Sequence, residues 1–373
     1  MGTGSGIQAL TAIQKPDVLN VLAVDSNEKA VLALKQKIQK EKLRKITVLQ
    51  SDLFENVFGK FNLIIFNPPY LPKDKGIEDP ALYGGKKGWE LSARFFDHVS
   101  NYLAHDGTIL FLFSSLTNKA KIDEIIQSHL FQFNELDRQK IPFEELYVYE
   151  ITKTPLLREL EGKGLEDIHY FAQGKRGKVF TGIMDRSKLV KTHFPSKKDI
   201  VRVAIKIHKK STAAEGRIAN EAAWLEKLNK KKIGPRLLFS GPEYIVSAFV
   251  EGTFIVDWIT SHTKEEIQPV LAEVFRQCFV LDLLSVNKEE MHHPLKHIII
   301  DASNNPTLID FERCYETEKP HNVTQFADFL GKYRSLLVKK GFTFTVKELR
   351  DAAAEYKETY REKEFGKILE LMR

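Results

Sequence analysis

A chain of 373 residues exceeds what one hydrophobic core ordinarily serves and predicts two domains. Hydrophobic residues at 43% and charged residues at 28% exclude a disordered or collagen-like chain. Two cysteines, Cys278 and Cys314, exclude a disulfide framework and a cysteine-rich zinc site. No apolar run reaches the roughly 18 residues that span a bilayer, and no signal-like N-terminus is seen, so the chain reads as cytosolic with no membrane partner. The formal net charge of +6 is uneven: residues 1–150 hold 18 Lys+Arg against 19 Asp+Glu, the remainder 38 against 31. Runs at Lys209-Lys210 and Lys230-Lys231-Lys232 suit a polyanionic partner, because cations that neutralise phosphates release condensed counterions.

In chain order, Met1-Gly2-Thr3-Gly4-Ser5-Gly6 precedes a helical run at Ile7–Ile13. Short apolar runs at Val18–Val24, Ile46–Leu49, Leu63–Phe66 and Thr108–Phe113 alternate with helical spacing at Ala30–Ile38 and Arg94–Leu103. That alternation predicts a parallel sheet covered by helices, closed by strands near Phe131–Leu136 and Leu146–Ile151. The pattern breaks over Lys153–Gly164, which sets domains at 1–152 and 153–373. Beyond the break, strands come first (Val179–Ile183, Val201–Ile207, Tyr244–Phe249), then mainly helices with a hairpin at Ile298–Phe311. This order predicts a small sheet lobe, a helical lobe and a cleft between them.

The first domain carries a set of residues suited to a nucleoside ligand. Glycines between a strand and a helix let the backbone approach a ligand closely. Asp25 ends the strand Val18–Val24, where a carboxylate accepts both hydroxyls of a ribose. Asp52 ends the next strand, a place to bond an adenine amine. Asn67-Pro68-Pro69-Tyr70 ends another, and its two prolines stiffen the turn and remove competing N–H donors. An amide or amine substrate can donate to Asn67 and to the Pro68 carbonyl while Tyr70 packs against its face.

These residues resemble S-adenosylmethionine-dependent methyltransferases, and more narrowly the HemK/PrmC-like glutamine N5-methyltransferases that act on class I release factors. Asn67–Pro72 followed by Ala81–Glu90 is most similar to the archaeal and eukaryotic branch, and the resemblance covers residues 1–152. It implies a Rossmann-like α/β fold, S-adenosylmethionine on Gly2, Gly4, Gly6, Asp25 and Asp52, and a methyl-acceptor amide at Asn67, Pro68 and Tyr70. It also implies a release factor or other protein partner. The family has a strand ending in an acid before the glycine loop, whereas this sequence starts at the loop. The gap would leave unpaired backbone on both neighbouring strands, and the expectation is weak S-adenosylmethionine binding.

The second domain presents a different set. Phe171–Phe180 holds Gly174 and Gly177 in a turn before Val179, and Lys206 sits in an alternating strand. Glu221 lies on a following helix, Val250-Glu251-Gly252 reads as a hinge, and Asp310 stands at a strand end suited to Mg²⁺. In this order the pieces resemble RIO-type atypical kinases over residues 165–335, close to an archaeal subgroup that includes tRNA 2′-hydroxyl kinases. The resemblance implies a bilobal α+β domain binding ATP through Gly174, Gly177, Val179, Lys206, Glu221 and Glu251. It puts Mg²⁺ on Asp310 and His297, and catalysis on Lys206, Asp310 and Glu290, with Glu290 in the place of the usual aspartate. The resulting expectation is an ATP-dependent kinase acting on tRNA, fused to a methyltransferase domain. The alternatives are a serine/threonine protein kinase and a non-catalytic scaffold that binds RNA or a release factor.

Overall fold

The computed structural model describes residues 1–73, 81–174, 177–185, 200–208 and 215–373. The chain divides into two compact units, Met1–Tyr170 with Gly182–Ile200, and Phe171–Thr181 with Val201–Arg373.

The first unit opens with α1 (Ile7–Ala12), β1 (Val21–Asp25), α2 (Glu28–Glu41), β2 (Ile46–Gln50) and β3 (Phe61–Phe66). It continues with β4 (Leu71–Pro72), β5 (Tyr83–Gly85), α3 (Glu90–Tyr102), β6 (Leu103–Ser114), α4 (Lys119–Ser128), β7 (Phe131–Ile141), β8 (Glu144–Lys153) and α5 (Pro155–Gly162). Asn27 caps α2, its side chain accepting from the Lys29 N–H, and Val31 and Leu34 face inward one helical turn apart. Along β8, Tyr147, Tyr149, Ile151 and Lys153 are buried in strict alternation, the period a pleated strand imposes.

The expected parallel sheet is divided in two. β1 and β2 pair in parallel, while a four-stranded sheet runs β3-β6-β8-β7, with β3 parallel to β6 and the last two pairs antiparallel. Residues 1–3 bridge the two: the Met1 amino group donates to Ile65 O of β3 at 2.9 Å, and Thr3 N–H donates to Val24 O of β1 at 2.9 Å. The smaller pair has its own apolar cluster of Ala9, Ala23, Val31, Leu34, Ile46 and Val48. The larger sheet packs on a chain of aromatic contacts through Phe95, Phe96, Phe111 and Phe113.

Where the sequence pattern breaks, the structure has the short helix α5. Thr154 Oγ1 accepts from Leu157 N–H, Pro155 sits in the first turn where no N–H partner is needed, and Leu157 and Leu160 are buried. Lys153 is fully buried but fully used, donating to Ser100 O, Leu103 O and the Glu161 carboxylate.

The described chain continues through β9 (Leu165–Gln173), β10 (Gly177–Asp185), β11 (Ile200–His208), α6 (Glu215–Asn229), β12 (Leu237–Ser240) and β13 (Tyr244–Ala248). Then come β14 (Thr253–Phe254), α7 (Ile255–Ser261), α8 (Lys264–Leu283), β15 (Val286–Lys288), β16 (Ile298–Ile300), β17 (Pro306–Leu308) and β18 (Cys314–Glu316). Four helices finish it: α9 (Asn322–Lys332), α10 (Arg334–Lys339), α11 (Val346–Thr359) and α12 (Glu362–Leu371). In the second unit β11 and β12 flank β13 in antiparallel register, and the helical core is filled by Phe275, Phe326, Tyr356 and Phe365. At its centre Asp282 of α8 accepts from Asn322 N–H, Asn322 Nδ2, Val323 N–H and Tyr356 Oη. No helix among the described residues is long and apolar enough to cross a membrane.

Candidate active site

Gly2, Gly4 and Gly6 all adopt left-handed backbone, with φ of 63°, 48° and 81°. Gly6 is the most constrained, since a Cβ there would lie 2.4 Å from Leu34 Cδ1. Gly4 N–H donates to Asp25 Oδ2 at 2.7 Å and Asn27 N–H to Asp25 Oδ1 at 2.9 Å, so the loop and the end of β1 are tied through one carboxylate. Each oxygen keeps a lone pair for a further donor such as a ribose hydroxyl. Burial lowers the Met1 ammonium to about 6, against the opposing pull of Asp25.

Asp52 is paired with Arg94 of α3, whose Nη2 donates to Asp52 Oδ2 at 2.8 Å, with both side chains roughly half exposed. Beneath it Ser51 is buried and its hydroxyl accepts from Asn56 N–H, which fixes the turn after β2.

Asn67, at the carboxyl end of β3, is exposed, while Pro68 beside it is buried. The turn is shaped from outside by glycines. A Cβ on Gly84 would fall 2.5 Å from Pro69 O and 2.2 Å from Gly88 O, and one on Gly88 would fall 2.5 Å from Tyr70 O. Thr117 Oγ1 donates to Tyr70 O, and burial followed by the nearby Glu144 raises the Tyr70 phenol above its ordinary range. The glycine loop and this turn adjoin: a Cβ on Gly2 would meet Phe66 at 3.6 Å and Asn67 O at 3.9 Å. The structure thus brings Gly2, Gly4, Gly6, Asp25 and Asn67 to one end of the two sheets. Arg94 and the glycine trio 84, 85 and 88 were not assigned roles from the sequence, although the Gly84-Gly85 doublet was the visible signal.

In the second unit, Lys206 Nζ donates to Glu221 Oε2 at 2.7 Å and to Asp310 Oδ1 at 2.8 Å, with Glu312 Oε2 at 3.5 Å. Phe311 N–H donates to the other Glu221 oxygen. Burial opposes charge on Lys206, but Glu221 and Asp310 outweigh it and hold the ammonium well above its usual range. Glu290 is nearly buried and accepts from the fully buried Lys288 Nζ at 3.1 Å, and the same ammonium donates to Asp310 O. His297 Nδ1 stands 3.7 Å from Asp310 Oδ2, and its imidazole is lowered by burial and by Lys288. Gly174 N–H closes a turn on Gly177 O at 2.9 Å with Val179 two residues on in β10; Lys175 and Arg176 of that turn lie outside the described residues, as do Lys209 and Lys210. Glu251 is exposed and paired with Arg202 at 2.7 Å.

Residues 1–141 match the methyltransferase small domain family, which gives the class of the N-terminal fold. An inferred protein N5-glutamine methyltransferase of Methanocaldococcus jannaschii is 38% identical over 153 residues, covering 40% of this chain and 77% of that protein. Through this N-terminal part the chain belongs to the protein N5-glutamine methyltransferases. The release factor glutamine methyltransferase of Aquifex aeolicus is 28% identical over 36% of this chain and 51% of its own length. The ribosomal protein uL3 glutamine methyltransferase of Francisella tularensis is 29% identical over 29% and 38% respectively. Against these two, the chain spans about half of the relative or less. A solved Mtq2–Trm112 complex of E. cuniculi, described as responsible for methylation of the eRF1 translation termination factor, aligns over 40% of this chain at 19% identity and a TM-score of 0.29.

These relatives correct the activity expected from the sequence. The chief expectation was an ATP-dependent kinase, with the methyltransferase as its companion; the relatives found are N5-glutamine methyltransferases, and methyl transfer takes the first place. ATP, Mg²⁺ and tRNA were expected only on the kinase reading, and these relatives give them no support. Lys206, Asp310 and Glu290 do come together: Lys206 faces the carboxylates of Glu221, Asp310 and Glu312, and Lys288 that of Glu290.

Proposed function

We propose that the N-terminal unit methylates the side-chain amide nitrogen of a glutamine in a protein of the translation machinery. The observation that carries this reading is the junction of the glycine loop with the Asn67 turn, where Gly2 lies against Phe66 and Asn67 O. It sets a left-handed glycine loop beside a polar, proline-stiffened turn.

The residues present fit S-adenosylmethionine: three glycines in left-handed backbone leave the loop open, and Asp25 retains acceptor capacity at the end of β1. When bound, that cofactor supplies an electrophilic methyl group. Asn67 and the Pro68 carbonyl accept from the two N–H groups of the substrate amide, which fixes its nitrogen toward the cradle. Tyr70 covers one face of the amide, and Gly84 and Gly88 let the neighbouring backbone close on the turn. Release factors and ribosomal protein uL3, named for the relatives, supply the acceptor class.

Full-length protein incubated with methyl-labelled S-adenosylmethionine and glutamine-containing release factors or uL3 is expected to place label on a glutamine. Asn67→Ala is expected to lower turnover by about 100-fold or more, the scale of losing one positioning contact, with cofactor binding retained. Gly84→Ala is expected to act alike by displacing Pro69. Full activity in Asn67→Ala, or no label on any of these acceptors, overturns the proposal.

A further inference from the structure

We propose that His98, Asp167 and His169 form a binding site for a zinc-class divalent metal ion. One ligand atom of each of these three side chains lies within 4.8 Å of the other two, and all three belong to the first compact unit. His98 stands on α3, Asp167 and His169 on β9, so the site joins elements far apart in sequence.

The local backbone is committed to this arrangement. Asp167 adopts φ of 56°, a left-handed conformation uncommon outside glycine, and Asn101 holds it from both sides. Asp167 N–H donates to Asn101 Oδ1 at 3.2 Å, and Asn101 Nδ2 donates to Asp167 Oδ1 at 3.1 Å. A carboxylate oriented by an amide is the support that metal ligands commonly receive. His169 Nε2 lies 2.8 Å from Asp167 Oδ1, and the rings of His98 and His169 are nearly perpendicular, 5.9 Å between centroids.

An ion can take the place of the hydrogen between Asp167 and His169. Zinc bonds to imidazole nitrogen and carboxylate oxygen at about 2.0–2.2 Å, so tetrahedral ligands stand about 3.3 Å apart. The observed 2.8 Å has to open by only about half an ångström. Two imidazoles and one carboxylate favour zinc and its neighbours over magnesium or calcium, which prefer all-oxygen sites. Asp97, next to His98 on α3, has one carboxylate oxygen engaged by His129 Nε2 at 2.9 Å.

Metal-free full-length protein titrated with Zn²⁺ is expected to bind one equivalent tightly, and Co²⁺ in its place should give visible absorption of a four- or five-coordinate nitrogen–oxygen site. His98→Ala, at an exposed position, should keep the circular dichroism of the parent and weaken binding at least tenfold. The His98→Ala/His169→Ala pair should abolish the tight equivalent. Asn101→Ala, which touches no ion, should weaken it about tenfold by releasing Asp167. Tight binding that survives the double substitution, or a parent that binds no better than the double variant, overturns the proposal.

Discussion

The two units treat their polar groups in opposite ways. Around the glycine loop, Asn67 is exposed and Asp25 spends two of its acceptor sites on backbone N–H groups, so bonding capacity is left at the strand ends. In the second unit Glu221 is 5% exposed and Glu312 6%, and Lys206 is shared among both and Asp310. Both sets converge from distant parts of the chain. The first leaves its capacity at exposed strand ends, whereas the second spends most of it on Lys206 and keeps a single partly exposed oxygen, Asp310 Oδ2, outside any hydrogen bond among the described residues. Convergence shows that residues are held together; unspent valence is what a ligand would need.

That contrast can be attacked by substitution. Lys206→Met removes the cation from three carboxylates, and leaving buried charge unpaired costs about 3–5 kcal/mol. An unfolding free energy from urea titration within 1 kcal/mol of the parent would mean that the network contributes little.

A second test uses pH. Burial pushes the Asp282 carboxyl up to about 6, against the pull of the four donors it faces. Between about pH 4 and 6 the unfolded chain is ionised there while the folded one still holds its proton, so stability falls as pH rises through that window and levels off above it. The size is about 3 kcal/mol for a displacement of roughly two pH units. Asp282→Asn should flatten that slope in paired denaturation curves; an unchanged slope would remove Asp282 as its source. The smallest effect is expected at Glu251, whose pair with Arg202 is half to two-thirds exposed. Glu251→Gln should shift stability by less than about 0.5 kcal/mol, within the usual range of surface pairs.

Much of the first site was legible because short-range rules govern it. Gly2, Gly4 and Gly6 need left-handed backbone, Asp25 and Asn67 stand at strand ends, and alternation along β8 marks its buried face. The break between β1 and β3 is bridged by Met1 and Thr3. Long-range contacts were not legible. Arg94 reaches Asp52 across 42 positions, and Asn101 meets Asp167 across 66, with no periodicity to announce either. Nothing in the sequence singled out Lys288, which is fully buried and holds Glu290. The acceptor glycines fell between these cases: their spacing was visible, but the reason, clearance for Pro69 O and Tyr70 O, belongs to another segment.

The division of the first sheet has a thermodynamic consequence. α1, β1, α2 and β2 enclose a small cluster of six buried apolar residues, separate from the aromatic core beneath β6. So small a core has little cooperative reserve, and its amides should exchange with solvent by local opening long before those of β6 and β8. A ligand lying across the ends of β1 and β3 would bind only while the smaller part is closed. Its concentration would therefore set how often that part opens, by mass action, and part of the affinity would be spent on folding.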